Sequence, residues 1–181
     1  MRIMKIKGVL AIVSFLASIV LANWLTSRYG LVEVGLGLLA TAGAFAAGAS
    51  LLARDAVQVT AGRKAALVAI VSGCIVSWFV GDGRIALASA AAFFLAELLD
   101  FFVFTTLRSR LGTFESAAVG SNIVSAPVDT LAFLAIAGFP LTAAGFAGQM
   151  VGKLVWATAV PVALYCLIHA LLRKSVNARR T

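Results

Sequence analysis

Four ionisable residues stand inside long apolar runs: Glu97, Asp100, Asp129 and Lys153. On insertion scales a charge at the centre of a membrane helix costs roughly 2.5–3.5 kcal/mol. Four together cost on the order of 10 kcal/mol, as much as the whole stability of an ordinary domain. Residues kept at such a cost face a bundle interior or a wet cavity, and they pair. The chemistry they offer is recognition. A carboxylate accepts two adjacent N–H groups in a two-pronged bond, and an ammonium donates up to three. Nucleophilic or metal catalysis is not indicated, because the chain shows neither a His/Cys constellation nor a carboxylate metal motif.

Residues three and four apart share a helical face. Phe93, Glu97, Asp100 and Phe104 form one stripe, and Asn122, Ser125, Asp129 and Phe133 form a second. Gln149, Lys153 and Trp156 form a third, and Asn23 stands at the far end of the first apolar run. At a rise of 1.5 Å per residue, Glu97, Asp129 and Lys153 lie about 15, 18 and 16 Å from the ends of their segments, close to one depth. As the one deep cation in this reading, Lys153 is expected to pair with Glu97 or Asp129. Pro127 removes a helical donor and frees the Ile123 carbonyl. These stripes predict a shared hydrophilic cavity that binds a small polar molecule through Glu97, Asp100, Asn122, Asp129, Gln149, Lys153, Trp156, Phe93 and Asn23. A structural ion pair that merely joins helices is the plainer alternative for the charged members.

The elements that must position these residues follow from composition. Of 181 residues, 62% are hydrophobic and 12% charged, against about 45–50% and 25% in soluble domains. The mean hydropathy is +1.04. The solvent is therefore lipid for most of the chain, and its unbroken apolar runs are helices. Six spans are expected in one all-α bundle, at 8–26, 31–53, 65–80, 85–107, 117–139 and 142–172. The third is short, and the sixth is long enough to tilt or to bend at Pro161.

The net charge of +8 forms no basic stripe, so nucleic acid is not an expected partner. The cations cluster instead at segment ends. Arg2, Lys5, Lys7, Arg54, Arg63, Lys64, Arg108, Arg110, Arg173, Lys174, Arg179 and Arg180 fall on one side, against Arg28 and Arg84 on the other. This asymmetry predicts cytoplasmic N and C termini and a multi-pass protein of the inner cell membrane. Val20-Leu21-Ala22 has the small-residue pattern of a signal-peptide cleavage site, but the apolar run is too long and reads as a retained span. Cys74 and Cys166 sit in apolar runs as small hydrophobes. Gly43/Ala47 and Gly148/Gly152 have small-residue packing spacing. Gly148 to Lys153 imitates a phosphate loop, but its gap is one residue short and Leu154 replaces the required Ser or Thr. No metal and no cofactor are expected.

Three runs carry a resemblance to a known family. They are Ala96-Glu97-Leu98-Leu99-Asp100-Phe101-Phe102-Val103-Phe104 followed by Arg108, then Ser121-Asn122-Ile123-Val124-Ser125-Ala126-Pro127-Val128-Asp129-Thr130-Leu131-Ala132-Phe133, then Gly148-Gln149-Met150-Val151-Gly152-Lys153 with Trp156. Together they resemble the VUT family of queuosine precursor transporters, over the second half of the chain more than the first, with Pro127 a departure from the pattern. The resemblance implies uptake of 7-cyano- or 7-aminomethyl-7-deazaguanine, held by carboxylate, amide and aromatic side chains within a six-helix bundle. It also implies similarity to the substrate-binding subunits of energy-coupling-factor transporters. Their Ala-x-x-x-Ala docking motif is missing here, since Ala11, Ala17 and Ala22 are spaced too widely, which favours transport without an ATPase module. A binding subunit for another vitamin or base that works with an ATPase module is the alternative. Whether the chain acts as a homo-oligomer stays open, as does which acid binds substrate and which pairs with Lys153. A pore-forming protein would have no use for three buried acids and a lysine near one depth.

Overall fold

The computed structural model describes residues 2–80 and 83–178, with side chains from 6–80 and 83–172. Of the orientation charges, Arg2, Lys5, Arg173, Lys174, Arg179 and Arg180 fall outside the described side chains. Helix α1 (Arg2–Tyr29) leads into a hairpin of β1 (Leu31–Gly35) and β2 (Leu38–Thr41). Helices α2 (Ala44–Ala61), α3 (Arg63–Val80), α4 (Gly83–Leu111) and α5 (Phe114–Ala137) follow. The last span comprises α6 (Ala143–Met150), a π-helix (Val151–Ala159) and α7 (Val160–Ala178). The helical polytopic bundle expected from composition is present, and five helical segments are long and apolar enough to cross a membrane.

The expected span 31–53 is corrected. Its first part is the antiparallel hairpin, in which Leu31 faces Thr41 and Gly35 faces Leu38. Leu36 and Gly37, at φ 58° and 67°, make the two-residue turn. Two positive φ angles give a turn whose twist matches paired strands. Gly30 (φ 62°) stops α1, and its carbonyl accepts from the Ala42 amide at 2.8 Å. The second part is α2, which runs on through Arg54, Asp55 and Gln58 to Ala61 and is too polar to count among the five apolar spans. Arg54 is therefore no loop cation: it is fully buried inside the bundle.

Small residues set the packing. α4 lies along α5 and α1 along α2. A Cβ on Gly48 would meet Ala157 Cβ at 2.6 Å and the Lys153 backbone at 2.8 Å, and one on Gly152 would meet Ala44 Cβ at 3.1 Å. α2 thus approaches the last span almost backbone to backbone. Gly148 lies against the Leu39 backbone of β2, which seats the hairpin on α6. Phe15, Ile19, Val57, Ile70, Phe93 and Phe101 close an apolar core among α1, α2, α3 and α4.

The long last span changes winding where it meets α2. The Val160 amide donates to the Val155 carbonyl, five residues back, and the Thr158 hydroxyl donates to the Lys153 carbonyl at 2.8 Å. Pro161, just beyond, has no backbone N–H to donate. The π-helix ends at Ala159, and α7 continues through Pro161. α5 likewise runs unbroken through Pro127.

Candidate functional site

A cavity of about 550 Å³, its open mouth included, lies between α1, α2, α4, α5 and the last span. Of the nine residues singled out from the sequence, Asn23, Phe93, Glu97, Asp129 and Lys153 line it. Ser50, Ser77, Ser89, Thr26, Thr41 and Phe133 add hydroxyls and a second aromatic ring.

Each polar wall is held by a neighbour. The Asn23 amide nitrogen donates to Ser77 Oγ at 3.0 Å and to the Ile19 carbonyl at 3.2 Å, and its Oδ1 is buried without a partner. Lys153 Nζ donates to Asp129 Oδ2 at 2.7 Å and to Thr130 Oγ1 at 2.8 Å. Of the two partners open for Lys153 in the sequence, the structure contains Asp129. Glu97 splits its oxygens: Oε2 accepts from Arg54 Nε at 3.1 Å, and Oε1 accepts only a long 3.4 Å bond from Ser50. Among the lining residues two acceptors are under-used, Glu97 Oε1 and the buried Asn23 Oδ1. The cavity also has a cation with one N–H beyond its two hydrogen bonds and two aromatic walls, Phe93 and Phe133.

The other four lie outside the lining. Asp100 is fully buried behind Glu97, accepts from Ser125 at 2.9 Å and pairs with Arg54. The Asn122 side-chain amide donates to Thr158 Oγ1 at 2.8 Å, which ties α5 to the π-helix. Gln149 donates to Thr41 Oγ1 at 2.8 Å, one residue removed from the cavity wall. Trp156 is 48% exposed, and its indole N–H donates to the Val34 carbonyl at 3.1 Å. Three-residue spacing puts Lys153 and Trp156 on one face of an α-helix, but the wider π-turn rotates Trp156 outward onto the hairpin. Ile123, whose carbonyl Pro127 leaves without its donor, is exposed and is not part of the lining.

Sequence reasoning missed Arg54 and Asp55. Arg54 contacts Asp55 at 2.8 Å and Glu97 at 3.1 Å, pairs with Asp100, and donates to Gln58 Oε1 at 3.0 Å. Lys153 is therefore not the only deep cation. A segment boundary drawn at the first charge cut α2 at Ala53. The available signal was the helical spacing of Ser50, Arg54 and Gln58, a polar stripe that a solvated loop has no reason to keep. Among the described residues no group of three His, Cys, Asp or Glu side chains could hold a metal ion.

A family model described as "Putative vitamin uptake transporter" matches residues 75–170. Neither the curated proteins nor the solved structures contain a match to the chain.

Proposed function

Because the chain belongs to the vitamin uptake transporter family, we propose that it carries a queuosine precursor, 7-cyano- or 7-aminomethyl-7-deazaguanine, across the inner cell membrane. The observation that supports this most is the pair of under-used acceptors, Glu97 Oε1 and Asn23 Oδ1, among the lining residues of a cavity with aromatic walls. A deazaguanine presents a ring N–H and an exocyclic amino group, donors for which Glu97 and Asn23 each supply an acceptor oxygen. Its flat ring stacks on Phe93 or Phe133. The free N–H of Lys153 suits the ring carbonyl, and Asp129 keeps that ammonium in place while the site is empty.

In this reading Glu97 is the acid that meets substrate and Asp129 the one that holds Lys153. Buried acceptors left unmatched penalise analogues that lack the amino group. The test is a bacterium unable to make queuosine precursors, expressing this chain and supplied with each precursor from outside. Queuosine should return in its tRNA with the intact chain and fall sharply with Glu97→Gln. No return with the intact chain would refute the substrate assignment, and full return with Glu97→Gln would refute the site.

A further inference from the structure

The buried charges do not balance. Arg54 and Lys153 face four carboxylates, Asp55, Glu97, Asp100 and Asp129, all on packed helices. Lys153 and Asp129 cancel at the cavity. Arg54 is left with three acids, and all four of these side chains are 0–1% exposed. Two carboxylates in excess, almost fully buried, call for positive charge from elsewhere. Within this group one atom is left over: Asp55 Oδ2 is buried with neither a hydrogen bond nor an ion pair, while Oδ1 alone faces Arg54.

We propose that Asp55 is a proton-binding site and that uptake through the neighbouring cavity is driven by co-transport of that proton. On loading, an O–H bond forms at Asp55 Oδ2 with a proton from the side where substrate enters. On release the bond breaks and the proton leaves on the other side, with no change of oxidation state. The link to substrate is Arg54. With Asp55 neutral, the guanidinium charge falls wholly on Glu97 and Asp100, and Glu97 is the one member of this group in the cavity wall. Intramembrane Asp and Glu chains serve as proton relays in transporters. A polar path also continues away from the cavity: Arg54 donates to Gln58, and Gln58 Nε2 donates to Thr105 Oγ1 at 2.8 Å, three residues before Arg108.

The surroundings of Asp55 leave few rivals for this role. α2 supplies Arg54, and α4 supplies Glu97 and Asp100. α5 and the π-helix supply the paired Asp129 and Lys153. α3 brings the half-buried thiol of Cys74, with Arg63 and Lys64 exposed at its start, and α1 has no titratable side chain between 8 and 27. A sodium ion would have to take carboxylate oxygens that Arg54 already engages at the centre of this group.

The inference rests on the proposed substrate, so the experiment measures both. Purified intact chain is reconstituted in liposomes with radiolabelled 7-cyano- and 7-aminomethyl-7-deazaguanine. Counterflow, which needs no driving ion, tests the substrate. Accumulation under a pH gradient, acid outside, and alkalinisation of the medium as substrate enters test the proton. The expected result is counterflow together with accumulation, up to about tenfold per pH unit if one proton moves with each substrate. Asp55→Asn should keep counterflow and lose the gradient drive, and Asp55→Glu should retain both. Counterflow without any response to the gradient, accumulation driven by sodium alone, or gradient-driven accumulation by Asp55→Asn would overturn the proton site while leaving the substrate intact. Absence of counterflow with both compounds would overturn the substrate and the proton site together.

Discussion

Arg54 and Lys153 are both buried cations in a mostly apolar molecule, and they are held in opposite ways. Arg54 sits away from the cavity with three carboxylates and a glutamine around one rigid guanidinium fork. Lys153 faces the cavity on a flexible stem, with one carboxylate that is itself 15% exposed and one hydroxyl. The geometry of the two groups explains the division. Five donors in a plane can serve several acids at fixed directions, whereas an ammonium is a point charge that turns with its partner. The Arg54 group is closed around its fork, while the Lys153 pair keeps a donor for a guest.

The hardest blow to this contrast comes from Arg54→Leu. It strands three buried carboxylates, and breaking even one buried pair costs about 3–5 kcal/mol. The variant should give no monodisperse protein on gel filtration in detergent, whereas Lys153→Met should fold and fail in uptake. An Arg54→Leu protein as stable as the parent would break the contrast.

Next comes the Lys153–Asp129 pair itself. Lys153→Met leaves Asp129 uncompensated, and Asp129→Asn leaves Lys153 so. The double variant should be more stable in thermal unfolding than the two single losses summed, with a coupling of about 0.5–3 kcal/mol. Additive losses would show that the 2.7 Å contact contributes nothing.

Gly48→Val separates the two cations. The new side chain meets the Lys153 backbone and Ala157, neither of which can swing aside. Overpacking of this kind costs about 1–3 kcal/mol, and uptake should drop because the π-helix and Lys153 move. Equal loss of folded protein in Gly48→Val and Arg54→Leu would deny that the two regions are distinct.

The smallest effect belongs to Trp156→Phe, which loses one hydrogen bond to Val34, about 0.5–1.5 kcal/mol. Uptake should hold and the melting temperature should fall slightly. A severe loss of substrate affinity would return Trp156 to the cavity.

Much of this contrast was legible in the sequence, for identifiable reasons. Phe93, Glu97, Asp100 and Phe104 follow regular α-spacing, and all four are buried on one face of α4. Depth alone put Lys153 level with both Glu97 and Asp129, and the choice of Asp129 needed the structure. Trp156 was misplaced because a π-turn has no signature in hydrophobic periodicity. The hairpin was hidden in an apolar run, because Leu31 to Thr41 reads as span although Gly30, Gly35 and Gly37 already marked turns. Arg54 was hidden by the opposite bias. A cation beside Asp55 at the edge of an apolar run looks like a solvated border, and only the partners on α4, more than forty residues away, show that it is interior.

The central claim, that Glu97 presents an acceptor to a flat purine-like guest, is tested most directly by calorimetric titration of 7-cyano-7-deazaguanine into the purified intact protein and its Glu97→Gln variant. The account predicts binding by the intact chain and an affinity at least about tenfold weaker in the variant, the loss expected for one hydrogen bond to a charged group. Equal affinity in the two proteins, or no binding by the intact chain, would contradict it.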